Sequence, residues 1–156
     1  MKRWVLYAGA VIGIAAIGAS SLRGTEMGKL EPVEVVWLGE ENGQVCLETD
    51  TGAVGRGEDV PAALENMKAS ALGYIFMQTA DYLIVQTGAE PLLQQVYDIL
   101  RPSCMVCKAE TLPDMEKVAA FLEIHASPII LRQSQVEKSE LPLLREQEGR
   151  FEWVAK

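Results

Sequence analysis

The feature that most constrains the fold is a theme repeated three times after residue 60. A proline opens an apolar helical stripe, and a short apolar strand follows. The stripes begin at Pro61, Pro91 and Pro113, and proline is tolerated there because first-turn N–H groups have no intrahelical partner. Asp59 and Thr111 are the expected helix caps. The pattern predicts three helices that flank a sheet.

The expected strands of this theme are residues 82–86, 104–108 and 129–132. Each is short and mostly apolar, which is typical of strands covered on both faces. Alternation of strands with helices indicates an α/β fold with a mostly parallel or mixed sheet. We assign no element to residues 73–80, and a terminal hairpin is expected around Glu148 and Gly149.

An amino-terminal β-hairpin is expected to extend this sheet. Residues 32–38 and 44–50 alternate or are apolar, and Asn42-Gly43 between them is the strongest short hairpin signal because both turn positions need positive φ. A two-residue turn at this point places Leu38 opposite Leu47 and Trp37 opposite Glu48. Val36 then faces Thr49, so one face of the hairpin is apolar.

The chain is expected to begin with a membrane segment. Nineteen uncharged residues, 4–22, follow Lys2 and Arg3 and precede Arg23. As a helix the run would be about 28 Å long, close to the ~30 Å hydrocarbon core of a bilayer. The preceding basic residues favour an orientation with the remaining chain outside the cytoplasm. We predict a signal-anchor, and cleavage after residue 18 with secretion of the domain is the alternative.

These boundaries predict three parts: a membrane segment at residues 1–23, an α/β domain at 24–133 and a carboxyl-terminal extension at 134–156. Three of the 14 basic residues lie in the first part, whereas all 22 acidic residues follow it. A surface this acidic repels nucleic acid and anionic lipid headgroups. The expected partners are other membrane or envelope proteins, with the membrane itself contacted through residues 4–22.

Cys104 and Cys107 have the spacing of a dithiol redox motif or half of a zinc site. A redox motif of this kind follows a strand and begins a helix, whereas here a helix precedes the motif and strand-like residues occupy it. Residues three apart on a strand point to opposite faces, so the two sulfurs are expected to diverge. Buried packing or a structural disulfide, for which Cys46 is available, are the other interpretations.

The remaining candidates for chemistry each have a structural explanation. His125, the only histidine, is expected to lie at the carboxyl end of the third helix. Residues 52–57 are rich in glycine but lack the Gly-Lys-Ser/Thr ending of a phosphate loop, so a flexible connector is expected. Glu48 and Asp50 share a strand face, yet two carboxylates are too few for calcium. We therefore predict no catalytic residue, cofactor site or metal site.

One family resemblance runs through residues 31–132. Pro32-Val33-Glu34-Val35-Val36, the step Gly55-x-Gly57 before Ala62-Ala63-Leu64, the strand Tyr82-Leu83-Ile84-Val85, the step Gly88-Ala89-Glu90 and the turn Leu100-Arg101 carry it. The chain thereby resembles the amino-terminal domain of the C-subunit proteins of spore germinant receptors. The resemblance implies a role in bacterial sporulation or spore germination.

Taken together, the sequence predicts a membrane-anchored extracytoplasmic protein with a binding or structural role. The alternative is an extracytoplasmic thiol-disulfide oxidoreductase that uses Cys104 and Cys107.

Overall fold

Seven strands form a mixed sheet at the centre of the domain. The computed structural model describes residues 30–125, 129–131 and 140–154. Within them the sheet has the order β4-β3-β2-β6-β7-β8-β9, and a separate two-stranded sheet pairs β1 with β5. The strands are β1 (Leu30–Pro32), β2 (Val35–Glu41), β3 (Gln44–Thr49), β4 (Val54–Gly57), β5 (Tyr74–Phe76), β6 (Tyr82–Gln86), β7 (Met105–Ala109), β8 (Leu143–Gln147) and β9 (Arg150–Trp153).

Two α-helices and two 3₁₀ segments accompany these strands in the described residues. They are α1 (Val60–Ser70), α2 (Met115–Ile124), and the 3₁₀ segments Met77–Thr79 and Glu90–Gln95. The α/β class and the mixed sheet are thus confirmed. The expected membrane helix lies outside the described residues.

The predicted hairpin register is confirmed. Leu38 pairs with Leu47, Trp37 with Glu48, and Val36 with Thr49. Asn42 and Gly43 both adopt positive φ, 54° and 78°, as the turn requires.

Helices cover both faces of the sheet. On one face, α1 and the 3₁₀ segment 90–95 pack on alternate residues of the central strands, including Leu38, Leu83 and Val106. On the other face, α2 buries Val118 and Leu122 against neighbouring strand residues such as Ile84. β2, β6, β7 and β8 run parallel to one another, as expected for central strands that connect through crossovers.

The helix predictions are partly wrong at their starts. Asp59 caps α1 as expected and accepts a hydrogen bond from the Ala62 amide at 2.8 Å. However, α2 begins at Met115, and Asp114 rather than Thr111 is its cap, accepting from the Lys117 amide at 3.2 Å.

The second predicted α-helix is wrong as well, because Glu90–Gln95 is a 3₁₀ segment followed by turns. Its hydrogen bonds span three residues, as from the Val96 amide to the Leu93 carbonyl. Leu93 and Val96 are three apart and are both buried, because residues at this spacing align along a 3₁₀ turn; Leu100, in the turns that follow, is buried as well.

The predicted strand at residues 129–132 is also wrong in its described part. Ile130 makes only an antiparallel bridge to Met105. Farther along β7 the same edge is taken by β8, which pairs in parallel at Lys108 and Ala109. The hairpin expected around Glu148 and Gly149 is confirmed as β8 and β9, and it extends the central sheet.

The glycine-rich segment is a strand rather than a flexible connector from Val54 onward, because β4 pairs with β3. A Cβ added at Gly55 would lie 2.1 Å from the Ala63 carbonyl oxygen, and one at Gly57 would lie 2.4 Å from the Ala63 amide nitrogen. These glycines therefore allow α1 to approach the strand closely.

Candidate functional site

A cleft opens at the carboxyl ends of β2 and β6, which are adjacent and parallel. After β2 the chain turns toward β3, whereas the strand that follows β6 in sequence lies on its opposite side. Connections that leave two neighbouring strands in opposite directions create a crevice, and in open α/β sheets ligands bind at such points. The cleft has a volume of about 320 Å³ and is lined by Trp37, Glu41, Cys46, Glu48, Arg56 and Gln86, with Glu40, Thr111 and Leu112 at its rim.

Strand register places most of the charged residues of this cleft on the face of Trp37; Glu40 is the exception, because it pairs with Val45, which is buried in the cluster under α1. Glu48 lies opposite Trp37, Cys46 opposite Gly39, and Arg56 opposite Cys46. Cross-strand partners share a face of the sheet. The apolar cluster under α2 contains residues of β2, β6, β7 and β8 but none of β3 or β4, so the cleft occupies the part of this face that α2 leaves open.

Gly39 makes room for the floor of the cleft. A Cβ at this position would lie 2.6 Å from Gln86 Oε1 and 2.9 Å from Trp37 Nε1. Both side chains therefore pass over the bare backbone of Gly39. The Gln86 amide oxygen is fixed there because it accepts a hydrogen bond from the Glu40 backbone N–H at 2.7 Å.

The indole N–H of Trp37 is a donor without a partner. The Trp37 residue is only 4% exposed, and its Nε1 makes no hydrogen bond to any group in the part of the chain that the structure describes. In contrast, Trp153 Nε1 donates to the His125 carbonyl at 3.0 Å. The Trp37 indole nitrogen is not among the fully enclosed polar atoms of the described residues, so it reaches the surface of the cleft, where it can donate to a ligand oxygen.

Acidic side chains outnumber basic ones in the cleft. Glu40, Glu41 and Glu48 are offset by Arg56 alone. Arg56 donates through Nη2 and Nε to the same oxygen of Glu41, at 2.8 and 3.2 Å, and this bond raises the pKa of Arg56. The Glu48 carboxylate lies on the same face as Trp37 and makes no hydrogen bond within the described residues, so it is available to a ligand.

Cys46 also lines the cleft. Burial raises the pKa of its thiol, and Glu48 and Glu41 act in the same direction, whereas Arg56 opposes them. A raised pKa keeps the thiol protonated at neutral pH and lowers its reactivity.

The structure separates Cys104 from Cys107, as strand geometry predicts. Cys104 belongs to the apolar cluster under α1, and Cys107 to the one under α2. Both are free thiols. Burial raises the pKa of Cys104 to about 12 and raises that of Cys107 as well. The two sulfurs therefore do not form a shared site.

Asp50 has a structural role that the sequence did not reveal. Its Oδ1 accepts hydrogen bonds from the backbone N–H groups of Glu34 and Val35, at 3.0 and 3.1 Å, and so anchors the entry into β2. Glu48 instead lines the cleft. Within the described residues, no three side chains of the usual metal-ligating types come together.

His125 lies at the carboxyl end of α2, as predicted, where its backbone N–H bonds to the Phe121 carbonyl. The imidazole packs against the Phe121 ring in a tilted arrangement, with ring centroids 4.9 Å apart. This position is remote from the cleft, because α2 begins near the carboxyl end of β7 and ends away from it.

Sequence reasoning named Glu48 and Cys46 but missed Gly39, Arg56 and Gln86 as cleft residues. One signal was available: Gln86 is a polar residue at the end of an apolar strand, and carboxyl ends of parallel strands are where sites form. The pairing of β6 with β2, which brings Gln86 to Gly39, is not readable from either segment alone.

Comparison with known proteins gives no relative. No family model, curated protein or solved structure matches the chain. The described helices include none long and apolar enough to cross a bilayer, and residues 4–22 lie outside that part.

Proposed function

We propose that this protein is a binding module held outside the cytoplasmic membrane, and that the β2–β6 cleft is its ligand site. The observation that carries the proposal is the indole N–H of Trp37, which makes no hydrogen bond within the described residues and lies at the floor of an acidic cleft. The ligand class is a small molecule, or a side chain of a partner protein, that bears an ammonium or guanidinium group beside an acceptor oxygen.

The charge balance supports a cationic ligand. Two carboxylates, Glu41 and Glu48, share the face of one guanidinium, and Glu41 already holds that guanidinium at 2.8 Å. A ligand cation would then meet Glu48, while its acceptor oxygen would accept a hydrogen bond from the Trp37 indole. A charge-assisted hydrogen bond is stronger than one between neutral groups, so a cationic ligand is expected to bind more tightly than a neutral ligand of the same shape.

N-acetylated arginine amide and its neutral analogue, N-acetylated citrulline amide, are suitable probes (below, arginine amide and citrulline amide), because with the α-amino group acetylated they differ in the charge of the side chain but hardly in size. We expect arginine amide to move the Trp37 indole resonance in NMR spectra of isotope-labelled full-length protein, with a dissociation constant of about 1 mM. Citrulline amide should leave this resonance in place. The Trp153 indole, already bonded to the His125 carbonyl, serves as an internal control.

Glu48→Gln should weaken arginine amide about fivefold, the effect of losing roughly 1 kcal/mol from a partly exposed ion pair. Glu58→Gln is the matched control, because Glu58 is exposed and lies outside the cleft. Equal shifts with both probes, or equal losses in both variants, would contradict a cation site.

The extracytoplasmic orientation rests on Lys2 and Arg3 ahead of the uncharged run. Protease added to intact cells or protoplasts is expected to digest the domain. Digestion only after lysis would reverse the proposed orientation.

The biological setting proposed from the family resemblance is sporulation or germination. Deleting the gene in its own bacterium should slow or abolish spore germination, measured as the loss of spore refractility. Normal germination of the deletion strain would contradict a role in germination and would not affect the binding proposal.

A further inference from the structure

Three large apolar side chains project into solvent from one short segment. Leu72 is 102% exposed, Tyr74 55% and Phe76 41%. Tyr74 and Phe76 flank Ile75 on β5, and Ile75 is buried, at 4% exposure. Because side chains alternate along a strand, burial of Ile75 turns both aromatic rings outward. We call these three exposed residues the β5 patch.

The β5 patch is held in place rather than loose. β5 pairs with β1, and the turn that follows it is fixed by Thr79. The Thr79 hydroxyl accepts from the Val33 backbone N–H and donates to the Val33 carbonyl, both at 2.9 Å. Three exposed apolar side chains within five residues of one held segment make it a candidate interaction surface.

The sequence limits how far this patch can lie from the uncharged run. β1, the partner of β5, begins at Leu30, and the run ends at Leu22. Eight residue steps span at most about 28 Å when fully extended. If the run is the membrane anchor proposed above, the patch is tethered within one short linker of the bilayer surface.

We propose that the β5 patch contacts the lipid bilayer surface and orients the domain on it. This inference rests on the proposed membrane anchor. Tyr and Phe are suited to the interfacial zone, where apolar rings meet the acyl chains and polar atoms face water. The strongly acidic composition beyond residue 23 argues against electrostatic binding to anionic lipids, so apolar insertion provides the attraction.

The proposed bilayer contact also determines which way the cleft faces relative to the membrane. β1 and β5 lie at the amino end of β2, next to Val33, whereas the cleft lies at its carboxyl end, at Glu40 and Glu41. A bilayer under the β5 patch therefore leaves the cleft open on the far side of the domain.

A polarity-sensitive fluorophore on Leu72→Cys tests the contact in the full-length chain, reconstituted into phosphatidylcholine vesicles. The native cysteines are buried, and unsubstituted protein taken through the same labelling reports any background. We expect a blue-shifted emission that brominated lipids quench about twofold, as for a group in the headgroup and acyl boundary. The matched control is Leu112→Cys, since Leu112 is a 43% exposed leucine at the cleft; its label should keep a water-like, unquenched emission.

Flotation of the unlabelled chain with the same vesicles separates this inference from the proposed anchor. Flotation with a quenched label at position 72 supports the bilayer contact. Flotation with an unquenched label overturns the contact and leaves the anchor intact, and a blue shift without quenching would assign the patch to a second protein surface. Failure to float overturns the anchor and this inference together.

Discussion

Replacing Gly55 by alanine tests the close contact between β4 and α1. The added Cβ would lie 2.1 Å from the Ala63 carbonyl oxygen and 2.7 Å from the Met67 Cβ, whereas ordinary contacts begin at 3.4 Å. These are atoms of the helix backbone and its first side-chain carbon, which cannot rotate away. The helix or the strand must therefore move by more than 1 Å.

The cost follows from what moves with α1. Its inner side is buried through Val60, Ala63, Leu64 and Met67, so a displacement disturbs the whole cluster on that face. Overpacking costs about 1–3 kcal/mol, and a clash with helix backbone belongs at the upper end, about 3 kcal/mol. For a domain of this size, each kcal/mol lowers the melting temperature by about 4 °C, so the expected loss is about 12 °C.

The assay is thermal and urea unfolding of the full-length protein in a non-ionic detergent, followed by near-ultraviolet circular dichroism. Gly52→Ala is the matched control, because Gly52 has positive φ, at 82°, with no atom within 4 Å of an added Cβ. It should cost only the ~1–2 kcal/mol of a left-handed alanine. If Gly55→Ala is no more destabilising than Gly52→Ala, the close approach of α1 is refuted.

Three further predictions concern the turn, the thiols and a helix cap. Gly43→Val places a β-branched residue at a φ of 78° and should cost about 1–2 kcal/mol or more; an unchanged melting temperature would mean that the turn is built differently. The double replacement Cys104→Ala and Cys107→Val should lower the free energy of unfolding by ~1–3 kcal/mol through altered packing and leave the arginine amide titration unchanged; stoichiometric zinc in the unsubstituted protein, or a thiol-disulfide cycle that governs activity, would support the oxidoreductase alternative. A side-chain hydrogen bond from Lys117 lowers the pKa of the Asp114 carboxyl below its ordinary value of 3.8. The ionised carboxyl therefore stabilises the fold above pH 3.8, and this stabilisation is lost as the pH falls through the lowered pKa of the folded state. Asp114→Asn, which keeps an acceptor for the cap, should accordingly lose stability relative to the unsubstituted protein at neutral pH but not at pH values below the folded-state pKa, as urea titrations at several pH values would show.

The sequence correctly predicted the turns and helix starts that are determined by adjacent residues in the chain. Asn42-Gly43 fixes its own turn and with it the hairpin register, and Asp59 with Pro61 marks the start of α1. By contrast, Gly55 and Gly57 indicate flexibility when β4 is considered alone. Their actual reason is α1, which packs on them after the chain has turned back.

The candidate site was least predictable because it depends on strand order. Gly39 and Gln86 are 47 residues apart in the printed sequence, and only the parallel pairing of β2 with β6 joins them. The bridge of Ile130 to Met105 and the parallel pairing of β8 at Lys108 and Ala109 use the same edge of β7, and only tertiary pairing decides how that edge is divided between the two segments.

Strand β2 runs from the region of the β5 patch to the cleft. It begins beside the residues that hold the β5 patch and ends at the cleft, and its seven residues span about 23 Å at ~3.3 Å per residue. β2 pairs on both sides and is buried from Val35 to Gly39, so it acts as a rigid spacer. Selection of a cationic ligand would depend on Glu48 and the Trp37 indole, which lie side by side because Trp37 pairs with Glu48.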